Sequence, residues 1–315
     1  MIKNPILNTI SLVLMLLSTV ACSSPSQTDS AALTRVSATQ STPNRERTII
    51  LGDVSDNPRK EIRKFQPLAN YLSANLSQFD QGQVKIAPDL ETMIAWLKTG
   101  EVDIYIDSPY PAMRAINQAQ ARPILRRWKK GHAEYHSLIF SLDESQISSL
   151  SDLQGKTVAF DHPASTTGFM LPLSKLLEAN LSPQEVRSAN SSVSQDRVGY
   201  VFSYEDSNSI EWLLSGKVAA AAIDNQSYDK LPTAIKDTTI ILAETEKIPR
   251  HLVLVRSNMP LEVTQDISAQ LLLMEETEAG KAVLEQFDRT KKFDKFPVEE
   301  NLARMQQLYQ QAEQQ

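Results

Sequence analysis

The chain has 315 residues, of which 41% are apolar, and its formal net charge is −6. A chain of this length can bury the cores of two domains of ordinary size. The net charge is acidic, whereas nucleic-acid binding requires a basic surface. Nucleic acid is therefore excluded as a partner. Cys22 is the only cysteine, which excludes an internal disulfide.

The amino terminus has the pattern of a secretory signal. Lys3 precedes an apolar run from Ile10 to Ala21, about twelve residues, which is shorter than a membrane-spanning helix. The motif TVAC, ending at Cys22, resembles a bacterial lipobox, in which the cysteine is lipidated after cleavage. An ordinary cleavage site beside an unrelated cysteine is the alternative. We predict a signal peptide over 1–21 and, because the next residues are polar and aperiodic, a lipidated flexible tether over 22–47.

Strands and helices alternate after the tether. Short apolar runs predict three strands, at 48–51, 84–87 and 102–106. A helix from Pro58 carries an apolar stripe, which Pro67 is expected to kink or split. A second helix over 90–97 ends at Gly100. This order indicates an α/β lobe with parallel strands, whose carboxyl-terminal loops are the usual place for a ligand.

The third strand leads into a helix start and then into a basic segment. Asp107-Ser108-Pro109-Tyr110 supplies a helix cap, a first-turn proline and a phenol. The basic run 126–130 is interpreted as a solvated strand edge rather than as a binding patch. A further apolar strand is predicted over 135–141.

The stretch KTVAFDHPASTTGFMLPL, residues 156–173, combines a buried strand, a loop, a run of hydroxyls and a helix start. Proline is tolerated only in the first turn of a helix, so Pro172 places the start near 167–169. The hydroxyl run Ser165-Thr166-Thr167 then lies at the cap, and Gly168 leaves the backbone open to a ligand. Free first-turn amides and the helix dipole favour a phosphate-like group. The alternative is that these hydroxyls only cap the helix.

The remaining pattern completes a second α/β unit and a tail. Strands are predicted within 191–203 and at 218–223, 240–243 and 251–255, and helices over 210–214 and through the tail 261–313.

Six stretches together resemble the solute-binding lipoproteins of phosphonate, phosphite and phosphate ABC transporters. They are FQPLANYL (65–72), GEVDIYIDSPY (100–110), EYHSLIF (134–140), SLSDLQGKTVAFDHPASTTGFMLP (149–172), SGKVAAAAID (215–224) and EKIPRHLVLVRS (246–257). The resemblance implies an α/β, two-lobed periplasmic-binding-protein fold of type 2 with two crossing hinge strands. It implies lobe 1 at 48–138 plus 251–315 and lobe 2 at 139–250, with crossings near 135–142 and 251–255.

The resemblance also implies ligand-binding residues. Ser165, Thr166 and Thr167 match the family's run that receives the phosphorus-bound oxygens. Tyr110 matches by region, and Tyr135 matches the tyrosine before the first crossing strand. The predicted ligand residues also include Ser55, Ser108, Gly168, Asp206, Asp224 and His251.

Three positions depart from the family pattern. Ala219 replaces an aspartate, Asp206 stands nearest to a position where a histidine is common, and Arg250-His251 stand where an acidic residue is common. These departures favour a plain oxyanion over a ligand with a cationic substituent.

The function implied is that of an extracytoplasmic, lipid-anchored solute-binding protein. It would capture phosphate, phosphite or a phosphonate between its lobes and deliver it to an ABC permease in the membrane. A monomer without cofactor or metal is expected. A sensor with the same fold, or a binder of carboxylates or other anions, is the alternative.

Two other functions, a metal site and a serine hydrolase, have weaker support in the sequence. His132 and His136 have the spacing of metal ligands on a helix, but the segment that follows is predicted as a strand. A secreted serine hydrolase would use Ser165 with His162 as its base, yet the sequence has neither a G-x-S-x-G elbow nor a Walker loop. We therefore predict that the protein is not an enzyme.

Overall fold

The computed structural model describes residues 47–295 and 298–314, leaving out the side chains of 298–300. The predictions of a signal peptide, of lipidation at Cys22 and of a tether as far as residue 46 lie outside the described residues. Arg47, the last residue of the predicted tether, pairs with Asp80 at 2.5 Å. Within the described ranges, no helix combines the length and apolarity that a bilayer crossing requires.

The described residues form fourteen strands and ten α-helices. The strands are β1 (Thr48–Val54), β2 (Gln81–Ala87), β3 (Ile104–Asp107), β4 (Arg122–Arg127), β5 (Glu134–Tyr135), β6 (Ser137–Leu142), β7 (Thr157–Phe160), β8 (Pro183–Glu185), β9 (Val198–Phe202), β10 (Ala220–Asp224), β11 (Thr239–Glu244), β12 (Ile248–Pro249), β13 (His251–Val255) and β14 (Phe293–Asp294). The helices are α1 (Pro58–Asn75), α2 (Leu90–Thr99), α3 (Pro109–Ala119), α4 (Leu171–Glu178), α5 (Asp206–Leu214), α6 (Asn225–Asp229), α7 (Thr233–Lys236), α8 (Leu261–Leu273), α9 (Glu278–Gln286) and α10 (Val298–Glu313). A π-helix, Thr166–Met170, precedes α4, and short 3-10 turns lie at Asp143–Ser145, Leu150–Leu153 and Met274–Glu276.

Two mixed sheets of six strands organise the molecule. The first sheet has the order β14-β4-β13-β3-β1-β2, and the second has the order β11-β6-β10-β7-β9-β8. In the first, β1 pairs in parallel with β2 and β3, and β13 runs antiparallel to β3 and β4. The predicted mixed α/β architecture is therefore confirmed.

The chain passes between the sheets twice. From β4 it runs through β5 into β6 of the second sheet, and from β11 it returns through β12 into β13 of the first. β5 and β12 pair with each other, with Ile248 opposite Tyr135. The two segments predicted as crossings thus hold strands of different sheets, while the lobe boundaries stay a prediction.

The interpretation of 126–130 as a solvated strand edge is wrong. β4 lies between β13 and β14, because the two-residue strand β14 covers its outer side. Arg127 is only 1% exposed. The tail is also not wholly helical, since β14 interrupts it.

Pro67 does not split α1, which is continuous from Pro58 to Asn75. Phe65, Leu68 and Leu72 on either side of the proline are buried in one hydrophobic cluster. Burial of the apolar stripe before and after Pro67 keeps α1 continuous, although the proline has no N–H group to donate.

Two hydrophobic clusters cover the opposite faces of the first sheet. Ile49, Leu51 and Val253 belong to the cluster that contains the α1 stripe. Tyr105 and Leu254 belong to the other, which also contains residues of the second sheet and its helices, among them Phe160 and Phe169. The rings of Tyr110 and Phe169 approach to 5.7 Å between centroids. The junction of the two sheets is therefore a packed, buried region.

Candidate ligand-binding site

The amino terminus of α3 lies at the carboxyl end of β3. Asp107 ends the strand, and its carboxylate accepts hydrogen bonds from the Ser108 amide at 2.6 Å and the Tyr105 hydroxyl at 2.5 Å. Ser108 is the N-cap residue, but its side chain makes no capping hydrogen bond. The first-turn amides of a helix have no partner within it, so the Tyr110 amide needs an acceptor from elsewhere.

Thr166 supplies that acceptor from the second sheet's side of the molecule. The Tyr110 amide donates to Oγ1 of Thr166 at 2.9 Å. Thr166 is 1% exposed, and Thr167 is also buried. The start of α3 and the start of the π-helix that leads into α4 therefore face each other. Both present positive dipole ends to this point, which favours a bound anion.

The helix predicted to start near 167–169 begins slightly earlier, at Thr166, with one π-helical turn. The Met170 amide donates to the Ser165 carbonyl at 3.1 Å, and Oγ of Ser165 accepts from the Gly168 amide at 3.0 Å. Pro172 falls in the first turn of α4, as expected. Its missing N–H and its ring are tolerated there, while the wider turn before it accommodates the three hydroxyl residues.

Gly168 makes room for Asp161 in this structure. A Cβ atom at Gly168 would lie 2.3 Å from Cβ of Asp161 and 2.9 Å from Oγ of Ser165. The absent side chain thus allows Asp161 to approach the hydroxyl run. A ligand contact at Gly168 stays a prediction.

Tyr135 joins the contact between Thr166 and Tyr110. It is 2% exposed, and its side chain lies beside that of Thr166. The guanidinium carbon of Arg250 lies 4.2 Å from the centre of its ring. Burial raises the pKa of the Tyr135 phenol, and the Arg250 charge opposes this rise. The phenol therefore stays protonated and can donate a hydrogen bond.

Carboxylates lie close to the hydroxyl run. Asp161 lies beside the Ser165 side chain. Asp206 lies beside Ser227, whose hydroxyl donates to Asp224 at 2.7 Å. Burial, reinforced by Asp161 and Asp224, raises the pKa of Asp206 to about 6. Three carboxylates therefore lie near the hydroxyl run.

Ser55 and His251 lie elsewhere, in the wall of a polar cavity of about 240 Å³. Glu61 and Lys64 of α1 form part of the same wall, which contains none of the residues 165–168. The structure therefore brings Thr166, Tyr110 and Tyr135 together, places Asp206 and Asp224 beside one another, and leaves Ser55 and His251 at the polar cavity.

Sequence reasoning missed several polar residues of these regions. They are Asp161 and Ser227 near the hydroxyl run, and Arg127 and Lys129 at the polar cavity. The period of two along β4 was an available signal, since Leu125 and Arg127 are both buried on it. Asp161 and Ser227 carried no comparable pattern.

His132 and His136 do not share a helix. His132 forms an isolated bridge with Lys129, and His136 follows β5. In the part of the chain that the structure describes, no group of three or more His, Cys, Asp or Glu side chains could hold a metal ion.

A model of one protein family matches residues 54–299, and it describes an ABC transporter, phosphonate, periplasmic substrate-binding protein. The match covers most of the chain and includes the hydroxyl run and α3.

Several solved structures are similar to the chain. XAC2383 from Xanthomonas citri, bound to chloride ion, is 26% identical with a TM-score of 0.79 over 85% of this chain and 98% of that one. The same protein bound to ATP gives 25% identity and a TM-score of 0.78 over the same shares, 85% and 98%. PhnD1 from Prochlorococcus marinus (MIT 9301), in complex with methylphosphonate, is 16% identical with a TM-score of 0.63 over 86% of this chain and 100% of that one. At that identity the last likeness shows only the fold, which is the type 2 periplasmic-binding-protein fold.

Proposed function

The chain belongs to the family of periplasmic substrate-binding proteins of phosphonate ABC transporters, and we propose that it captures a phosphorus oxyanion where the Tyr110 amide meets Thr166. Membership of this family means that it is a binding protein rather than an enzyme and works outside the cytoplasm. We further propose that the protein delivers its ligand to a membrane permease as a monomer, anchored by a lipid on Cys22.

The observation that carries the proposal is the 2.9 Å hydrogen bond from the Tyr110 amide to the Thr166 hydroxyl. A phosphoryl oxygen between these groups would accept from the same amide, and the hydroxyl would rotate to become a second donor. The Tyr135 phenol and the uncommitted Ser108 hydroxyl supply further donors. Hydrogen bonds to a charged group are stronger than those between neutral groups. Replacing the amide–hydroxyl bond by bonds to the phosphoryl oxygen therefore stabilises the complex.

Burial of Thr166 implies that ligand exchange requires the two sheets to separate. Thr166 is 1% exposed and Tyr110 is 4% exposed, so solvent does not reach this contact directly. A hinge motion at the paired segments β5 and β12 would open it, in the manner of domain closure around a ligand.

The nearby carboxylates define the preferred ligand class. Asp161, Asp206 and Asp224 would repel a phosphate dianion but would complement an ammonium group. We therefore expect an aminoalkylphosphonate to bind more tightly than methylphosphonate, and phosphate to bind most weakly.

Isothermal titration calorimetry tests the proposal. We expect saturable heat with 2-aminoethylphosphonate, and at least tenfold weaker binding after Thr166→Val or Thr167→Ala. Thr99→Val is the matched control, because its hydroxyl only contacts the end of α2 and neighbouring Glu101. Absence of heat with aminoethylphosphonate, methylphosphonate, phosphite and phosphate would overturn the proposal, as would unchanged binding by both threonine variants.

A second candidate function is the binding of a larger phosphate-bearing ligand. The Xanthomonas citri relative solved with ATP favours it. Titration with ATP separates the two: tight ATP binding without phosphonate binding would favour the larger ligand.

A further inference from the structure

Arg250 is a cation without an anionic partner, at the point where the chain returns from the second sheet to the first. It lies between β12 and β13 and is half-buried, and its amide donates to the Ala133 carbonyl at 2.8 Å. Its guanidinium makes no ion pair and no hydrogen bond with any residue that the structure describes. Because a guanidinium carries a positive charge and five N–H donors, this side chain has an unused capacity to bind an anion.

The contact that fixes this guanidinium is with Tyr135. The central carbon of the group lies over the tyrosine ring, 4.2 Å from the ring centre. Tyr135 is buried, and its strand β5 pairs with β12, directly before Arg250. Contact with a ring face leaves the N–H groups of a guanidinium free, because they point outwards in its plane. Nε is buried, whereas Nη1 and Nη2 keep accessible surface, so a ligand can reach the two terminal nitrogens.

Two other cations of this region have a carboxylate that Arg250 lacks. Arg127 and Lys129 both lie 3.8 Å from a carboxylate oxygen of Asp288. Within the described ranges, no carboxylate comes within ion-pair distance of the Arg250 guanidinium. An oxyanion beside Arg250 would therefore pair with a charge that the protein itself leaves unpaired.

The charged groups around the hydroxyl run are arranged unevenly. The Tyr135 side chain lies beside both Arg250 and Thr166, so the cation is next to the contact that the Tyr110 amide makes with Thr166. The carboxylate of Asp161 lies instead beside Ser165, the first residue of the run. The candidate site thus combines a cation near Thr166 with carboxylates near Ser165.

We propose that Arg250 is a ligand-binding residue, which pairs through Nη1 and Nη2 with anionic oxygens of the phosphonate group held at Thr166. Two terminal N–H groups of one guanidinium match two oxygens of one oxyanion, which makes this pairing both strong and directional. The inference rests on the proposed function and adds to it the group that neutralises the phosphonate.

Arg250 also defines the ligand class more closely. An acidic residue is common at this position in the family, and it would repel phosphonate oxygens. With arginine here, the site has opposite charges for the two ends of a zwitterion. The phosphonate end of an aminoalkylphosphonate would meet Arg250, and its ammonium end would meet the carboxylates near Ser165.

Substitutions of Arg250 should separate its charge from its shape. Arg250→Gln removes the charge, and we expect it to weaken the binding of methylphosphonate and 2-aminoethylphosphonate alike, by roughly tenfold to a hundredfold. The two ligands share the phosphonate end, so their affinity ratio should stay the same. Arg250→Lys keeps the charge but loses the planar pair of donors, and should give an intermediate loss.

Isothermal titration calorimetry of the mature protein measures these affinities, with Arg187→Gln, at an exposed arginine, as the matched control. Titrations of methylphosphonate at increasing sodium chloride concentrations distinguish a direct charge contact from mere support of the Tyr135 ring. Salt weakens the attraction between a cation and an anion. The affinity of the unmodified protein should therefore fall with salt more steeply than that of Arg250→Gln.

The outcomes separate this inference from the proposed function. Unchanged phosphonate binding by Arg250→Gln, or an unchanged salt dependence, would overturn the role of Arg250 and leave phosphonate capture intact. Loss of binding in Arg250→Gln with full binding in Thr166→Val would support Arg250 and overturn the Thr166 site. Absence of binding of both phosphonates by the unmodified protein would overturn both. If Arg250→Gln does not fold, Arg250→Lys decides, and a loss of less than about threefold would overturn the paired contact.

Discussion

The phenol of Tyr110 donates a 2.7 Å hydrogen bond to Oε1 of Glu313, which joins the start of α3 to the end of α10. Elsewhere on α10, Arg304 pairs with Glu178 of α4 at 2.8 Å and also with Glu246 before β12. The carboxyl-terminal helix therefore contacts helices that belong to both sheets. The last turn of α10 thereby fixes the position of the Tyr110 side chain in the candidate site.

A double-mutant cycle on Tyr110→Phe and Glu313→Ala should measure this bond. We expect a coupling of about 1 kcal/mol in the free energy of unfolding, because the bond involves a charged acceptor but is partly exposed. Urea denaturation of the four proteins gives the value. A parallel cycle of Glu313→Ala with Tyr71→Phe, on α1, should show no coupling, and equal values in the two cycles would contradict the prediction.

Asp206→Asn should stabilise the protein at neutral pH. The pKa of Asp206 is raised to about 6, so between about 4 and 6 the folded state holds more protons than the unfolded state. Stability contributed by the protonated carboxyl is complete below about 4 and is lost as the pH rises through 6. The asparagine variant should therefore gain up to about 3 kcal/mol at pH 7 and little at pH 4. Urea denaturation at both pH values checks this, with exposed Asp237→Asn as control.

Arg127→Met should be strongly destabilising. Its guanidinium supplies donors to Thr290 and to the Phe287 carbonyl and stacks 3.6 Å from the Phe287 ring. Methionine fills part of the volume but removes two buried hydrogen bonds and one of the cations near Asp288, at a cost of about 3 kcal/mol. The midpoint of urea unfolding measures the effect. Lys130→Met, on an exposed neighbour, should change it by less than about 0.5 kcal/mol.

Gly168→Ala should destabilise the protein by about 2 kcal/mol, because the added methyl group overlaps Asp161. The overlap is with Cβ of Asp161, at 2.3 Å, so Asp161→Ala cannot relieve it but Asp161→Gly can. Thermal melting of the single and double variants tests this steric account. We expect Asp161→Gly, but not Asp161→Ala, to restore part of the stability that Gly168→Ala loses. Equal recovery with both substitutions would contradict the steric explanation.

Local patterns in the sequence were sufficient for most elements. Gly100 ends α2 in the left-handed conformation, with φ of 75°, as its position after the apolar stripe predicted. Pro109 and Pro172 lie in first helical turns, because their missing N–H groups are tolerated only there. These features depend on residues close in the chain, so a single sequence contains the whole signal.

The errors arose where distant segments meet. The solvated edge predicted for 126–130 is covered by β14, which lies more than 160 residues further along the chain, as the Arg126–Asp294 hydrogen bond shows. Pro67 failed to break α1 because core packing on both sides outweighed one lost hydrogen bond.

The sequence by itself determined the order of strands and helices, the hydroxyl run before α4 and the resemblance that led to the family. Periodicity, turn residues and short motifs encode these because they act over a few residues. Only the tertiary structure decided that Thr166 meets the Tyr110 amide, that carboxylates gather beside Ser165, and that Arg127, Lys129 and His251 enclose one cavity. Each of these depends on how far-separated segments pack and exclude water, and burial then sets the charges and hydrogen bonds that a ligand would meet.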